Sequence, residues 1–228
     1  EYAISDEDVR VNQNPFPVGQ RVMYMLPRQV TISQMVFYNR AHFDLIGRPK
    51  NAIPKTLDEF EQICRQLVAA GKEPLAQDGM TYVDFWWIDL VTRMVGHQQY
   101  IDTVAGGPVR FAGPDGDPNY LAIAQRLRQW RDDGFWMEGF SASKWPGAQR
   151  DFGAGRCTFL NTGSWLPTEI AATASNDPNV FDMGCCFFPM TADKAQTLAP
   201  IAAGAYGHLV PRDGANHQGA VLLLRYLT

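Results

Sequence analysis

The 228-residue chain is short of several things that would give it an obvious occupation. No apolar run approaches the roughly 20 residues that a membrane-spanning helix needs. The longest, Ala220 to Leu224, ends at Arg225. There is no basic patch: the net charge is −4, and Arg126, Arg128 and Arg131 alternate with acidic neighbours Asp132 and Asp133 as a solvated helix face would. Phosphate binding needs clustered Lys and Arg, so nucleic acid is not an expected partner. The four cysteines (Cys64, Cys157, Cys185, Cys186) make no C-x-x-C, and adjacent Cys185 and Cys186 are poorly spaced for a mutual disulfide. They permit disulfides in an oxidising compartment without demanding them, and their apolar surroundings fit buried thiols. His42, His97, His208 and His217 stand apart, which gives no zinc motif, and the chain has neither G-x-S-x-G nor G-x-x-x-x-G-K-[ST]. No cofactor is expected. The start, with Glu1, Asp6, Glu7 and Asp8, has no basic and apolar leader pattern, so any signal peptide is expected to be gone already.

What is present is ordinary globular material, 46% hydrophobic, with 20 Gly and 15 Pro to punctuate many short elements. Strand-like runs cover Arg21 to Pro27 and Thr31 to Tyr38, joined across Pro27-Arg28. The clearest helix follows Pro54: Thr56 and Glu59 form a capping box, Leu57, Phe60, Ile63, Cys64, Leu67 and Val68 share one face, and Gly71 stops it. Further helices are expected from Asp84, as N-cap, to Val95, from Tyr120 to Asp133, from Trp145 to Gly153, from Trp165 to Ala174 and from Gly214 to Leu227. Strands are expected at Arg156 to Asn161, Phe181 to Phe188 and Ala205 to Val210. Alternation of strands with helices indicates an α/β fold.

Eight short motifs stand in order along residues 22 to 228. They are Val22-Met-Tyr-Met-Leu-Pro27, Phe37-Tyr38-Asn39-Arg40 with Phe43, Pro54-Lys-Thr56-Leu-Asp-Glu-Phe60, and Leu67-Val-Ala-Ala-Gly71 with Pro74-Leu75. Phe152-Gly-Ala-Gly155-Arg156, Asn161-Thr-Gly-Ser-Trp165, Phe187-Phe-Pro189 and Gly204-Ala-Tyr-Gly207 follow. Each is weak alone, but the ordered set resembles the family 1 solute-binding proteins of ABC transporters, the maltose-binding-protein-like group. The resemblance implies a periplasmic-binding-protein-like (type II) fold of two α/β lobes, incomplete at both ends in this chain. Residues 1–38 would belong to the first lobe and a crossing strand, 39–155 to a helix-rich second lobe, and 156–228 to returning strands and helices at the hinge. Phe37 to Arg40 and Arg156 to Thr162 would be the crossings between lobes. The resemblance further implies capture of a sugar or related polar solute by hinge closure and delivery to permease subunits. It places the protein in the periplasm or outside the cell, with or without a lipoprotein anchor. The chain would then be no enzyme; a carbohydrate-active hydrolase with a carboxylate pair of no fixed spacing is the alternative.

A sugar site needs flat aromatics for C–H faces and fixed polar groups for hydroxyls. Trp165 leads the candidates, because it follows Gly163-Ser164 at a strand-to-helix step where backbone N–H groups are unpaired. In the family the corresponding tryptophan commonly lies near the ligand; a core tryptophan is the competing reading. Tyr206 and Gly204 lie where glycines would let a ligand approach the backbone, or where a tight turn sits. Trp86 and Trp87 point about 100° apart on a helix, so one of them packs, and Trp87 is favoured for the cleft. Asp84 is a helix cap or a hydroxyl acceptor. Tyr24 and Arg28 flank Pro27 at a lobe edge, and Trp145, before Pro146, is a lid aromatic or an exposed helix start.

Overall fold

The computed structural model describes residues 26–113, 116–173, 182–194, 202–208 and 215–227. The chain divides into two units: Glu1–Val30 with Ala205–Thr228, and Thr31–Gly204. The first unit contains the helix His217–Leu227 and the start of β1 (Leu26–Ser33), which pairs with β6 (Ala202–His208) as a two-stranded sheet. Pro27 and Arg28 lie inside β1, not at a turn between two strands. The break comes at Gln34, whose φ of 62° turns the chain into β2 (Met35–Asn39). The part of the first expected strand before Leu26 lies outside the described residues.

The second unit is built on a mixed four-stranded sheet in the order β3 (Glu73–Ala76), β4 (Cys157–Thr162), β2, β5 (Met183–Phe187). β2 runs antiparallel to both neighbours, with Phe37 opposite Leu160 on β4 and Cys185 on β5, while β3 and β4 are parallel. β2 and β4, the segments expected to cross between lobes, stand side by side here. All six residues of β4 are buried, as expected for a strand covered on both faces. One face carries Val36, Tyr38, Leu75, Phe159 and Cys186. It packs on α2 (Leu57–Ala69), α3 (Val83–Met94) and α5 (Pro118–Asp132) through Phe60, Trp86, Leu90 and Trp130. The other face, with Phe37, Ala76 and Leu160, packs on Phe152 of α6 (Gly147–Gly153) and on Leu166 and Ile170 of α7 (Leu166–Thr173). The result is a three-layer helix–sheet–helix unit.

α2 forms as its sequence dictates. Thr56 accepts the N–H of Glu59 at 3.2 Å, and the Glu59 carboxylate reaches back, taking the N–H of Lys55 at 2.9 Å. Leu57, Phe60, Ile63, Cys64 and Leu67 are buried, and Gly71 leaves the helix with φ of 75°. Two helices carry no expectation from sequence: α1 (Ala41–Leu45) and α4 (His97–Val104). Asp84 does not cap α3. Tyr82 occupies that position with left-handed φ of 60° and no side-chain cap, and Asp84 is exposed in the first turn. The four cysteines are free thiols, with Cys185 exposed and Cys186 buried on opposite faces of β5.

Candidate functional site

Where β4 ends, Asn161-Thr162-Gly163-Ser164-Trp165 turns into α7. The step is pinned to β1 by two bonds: the Ser164 N–H donates to the Ile32 carbonyl at 2.8 Å, and the Ile32 N–H donates to Ser164 Oγ at 3.2 Å. Trp165 folds back over the chain behind it. A Cβ on Gly163 would collide with the six-membered ring of the indole, so only glycine fits beneath it. The indole is partly exposed and meets the ring of Tyr82, centroids 5.9 Å apart with planes at 44°. Tyr82 in turn packs on Phe85 at 5.0 Å. Three aromatics from two distant stretches of chain thus converge at the starts of α3 and α7.

Among the described residues, Trp165 Nε1, Thr162 Oγ1, Asn161 Oδ1 and Gln34 Nε2 are buried and have no hydrogen-bond partner. Gln34, Asn161 and Thr162 are each at most 6% exposed, and Gln34 adjoins Met35, which pairs with Thr162. Buried donors and acceptors ordinarily have partners. Asn161 and Thr162 are consecutive on β4 and so face opposite sides of the sheet, Asn161 toward Asp89 of α3.

Behind the step lies a charged network. Asn161 Nδ2 donates to Asp89 Oδ2 at 2.7 Å, and Asp89 Oδ1 lies 3.1 Å from Arg93 Nη1, the pair almost fully buried. Arg93 also donates to the Phe188 carbonyl at 3.2 Å and to Thr92 Oγ1 at 2.6 Å. Burial pushes the Asp89 carboxyl up to about 7, with the Arg93 charge and the Asn161 bond pulling it back. At the other end of the β2–β4 pair, His42 sits between Thr158 Oγ1 at 2.9 Å and Asn39 Nδ2 at 3.3 Å. Burial, and next the Lys72 charge, lower it to about 4, so it is neutral at pH 7.

The remaining candidates scatter. Trp86 is a core residue, and Trp87 is partly buried with its ring stacked on Tyr120 at 6.3 Å, so the structure pairs it with α5. Trp145 is 51% exposed, two residues before the short helix α6. Gly204 and Tyr206 lie in strand β6; the Tyr206 side chain and that of Arg28, in β1, are outside the described residues, as is Tyr24 altogether. Tyr82 carries no signal in sequence. Its contact with Trp165 spans more than 80 positions and depends on a left-handed backbone that a tyrosine does not announce.

The profile of bacterial extracellular solute-binding proteins matches residues 2–228. A comparison with curated proteins finds no match. Among solved structures the chain is similar to a chitin oligosaccharide binding protein, at TM-score 0.71 and 23% identity. It is also similar to the binding protein RafE in complex with raffinose, at 0.64 and 19%, and to a maltose-bound protein of T. maritima, at 0.64 and 15%. Each likeness covers 90% of this chain and 49%, 51% and 50% of the other, so the chain spans about half the length of the structures it matches. With the profile extending over nearly every residue, the chain belongs to the bacterial extracellular solute-binding protein family.

Proposed function

We propose that the protein captures a sugar or oligosaccharide for an ABC importer, with the second unit supplying one wall of the site around Trp165. The observation that carries this reading is the state of that tryptophan. Its face is backed by Tyr82 and partly open, and its indole N–H is buried with no partner among the described residues. A sugar offers both missing complements, a C–H face to stack on the ring and a hydroxyl oxygen to accept the N–H. The similar structures with a chitin oligosaccharide, raffinose or maltose in their names support the same class of ligand. Thr162, beside the step, adds a polar atom for a further hydroxyl. Binding energy shared between this wall and the rest of the protein would favour a closed arrangement, and that loaded form would be handed to a membrane permease outside the cytoplasm. The chain would act by binding and not by catalysis.

Trp165→Ala in the full-length protein tests the reading. Calorimetric affinity for the tightest of maltose, raffinose, mannobiose and chitobiose should weaken by about 1–3 kcal/mol, a factor of roughly 5 to 150. The melting midpoint should move little. A loss of about 3–5 kcal/mol of stability with unchanged affinity in the folded fraction would make Trp165 a core residue and remove the site.

A further inference from the structure

The loop that carries Tyr82, residues 78–82 between β3 and α3, is organised by one side chain that faces away from the solvent. Gln77 is 1% exposed. Its Nε2 donates to the carbonyls of Asp78 and Thr81, both at 2.6 Å, and its Oε1 accepts the indole N–H of Trp86 at 3.0 Å. The amide therefore grips both ends of the four-residue stretch 78–81, pulling two carbonyls that would otherwise repel toward one nitrogen. It fastens both to the buried floor of α3. The next residue after Thr81 is Tyr82, held at φ 60°. A left-handed tyrosine is strained and persists only where its surroundings over-determine it.

The same loop is fixed from outside. Asp78 Oδ1 accepts the Ser143 hydroxyl at 2.5 Å and the Ala148 N–H at 3.0 Å, and the Gly79 N–H donates to the Ser143 carbonyl at 3.1 Å. A Cβ on Gly79 would strike the Ser141 carbonyl, and one on Gly147 would strike Ser143 Oγ. These contacts hold the base of the loop, whereas Gln77 alone, among these bonds, reaches its far end at Thr81.

We propose that Gln77 is the positioning residue of the sugar site: by bridging Asp78 and Thr81 it sets the backbone that presents Tyr82 to Trp165. This rests on the site proposed above, but the geometry it concerns exists without ligand. The chemistry is specific to glutamine. The two amide hydrogens serve two carbonyls while the oxygen serves an indole; glutamate of the same shape keeps the acceptor and loses both donors, and methionine of similar length loses all three bonds.

The test uses the full-length protein labelled with 5-fluorotryptophan, its Trp165 and Trp86 ¹⁹F resonances assigned by Trp165→Phe and Trp86→Phe. In Gln77→Glu at pH 8 the Trp165 resonance should move or broaden, because Tyr82 leaves its place, and affinity for the tightest-binding sugar of the panel should fall about tenfold or more. On acidification, the introduced carboxylate takes up a proton and can donate one bond again. The Trp165 resonance should then return toward its wild-type position along a titration additional to the background one that Asp89, raised to about 7 and bonded to Asn161, gives in wild type. If Gln77→Glu folds poorly, Gln77→Met gives the uncharged comparison and should show the same displacement without the titration. A Trp165 resonance that stays in place in the folded variant, whatever happens to the melting midpoint, would reduce Gln77 to a structural residue and overturn the proposal. If no sugar on the panel binds wild type, the function is contradicted while the fluorine result still decides the role of Gln77.

Discussion

Trp86 and Trp130 on one side and Trp165 on the other show two ways of placing an indole. Trp86 and Trp130 are fully buried and pack edge to face at 6.0 Å within a cluster that includes Phe60 and Phe188. Their N–H groups are satisfied, Trp86 by Gln77 at 3.0 Å and Trp130 by Glu61 at 2.7 Å. Trp165 is half-open, backed by Tyr82, and its N–H is buried without a partner among the described residues. A folding core gains most by closing every polar valence, since an unpaired buried donor costs about 1–3 kcal/mol. A binding wall does the reverse: it leaves valences for a visitor. The contrast ranks Trp165 as the binding candidate more sharply than aromatic content does, because the chain has six tryptophans and composition cannot rank them.

The strongest attack on this contrast is truncation in the core. Trp130→Ala should lower the unfolding free energy by about 3–5 kcal/mol in denaturant titrations, since it opens a cavity and strips Glu61 of a buried donor. If Trp130→Ala and Trp165→Ala cost the same stability, the distinction between core and wall fails.

Buried charge gives the next largest effect, and its sign can be worked out. Asp89 is raised from 3.8 to about 7, so its contribution to stability is fully present below pH 3.8 and is lost as pH rises through 7. His42 is lowered from 6.5 to about 4, so its contribution is present above pH 6.5 and is lost as pH falls through 4. The two slopes oppose, and wild-type stability should change little between pH 4 and 7. Asp89→Asn should leave the His42 slope, with stability falling by a few kcal/mol on acidification; His42→Gln should leave the Asp89 slope, with stability falling as pH rises. Thermal melts across that range check both, and parallel profiles for the two variants would contradict the assignment.

A smaller and more local effect is expected at Gly163, whose missing Cβ makes room for the indole. Gly163→Ala should displace Trp165 and weaken sugar binding by about 1–3 kcal/mol, with both sheet faces intact by near-UV circular dichroism. Smallest is Trp165→Phe, which keeps an aromatic face and deletes the orphan N–H. Affinity should fall by about 1 kcal/mol while stability holds or rises slightly. A clear loss of stability would mean that the N–H is satisfied in the free protein.

The sequence made the local chemistry legible and left the long-range chemistry hidden. Thr56, Glu59 and the apolar face of α2 could be read because capping and helical periodicity act within a few residues. The Gly163-Ser164-Trp165 step was visible for the same reason. β3 was not, being four residues that include Pro74. α4 was missed because its apolar residues are few and only Thr103 is buried. Asp84 resembled a cap, yet the chain enters α3 through a left-handed Tyr82, a choice enforced by bonds from Gln77. Asp89 and Arg93 have the i,i+4 spacing of an ordinary surface pair. Only the fold, which brings Asn161 and the Phe188 carbonyl to them, turns them into a buried junction.

The indole N–H groups can be observed one by one, and that is the most direct test of the contrast. In ¹H–¹⁵N spectra of the full-length protein, with each tryptophan assigned by substitution, saturating sugar should shift the Trp165 Nε1–H resonance downfield as it gains an acceptor. The Trp86 and Trp130 resonances, already bonded, should stay in place. Saturation proven by calorimetry with an unmoved Trp165 resonance would contradict the account.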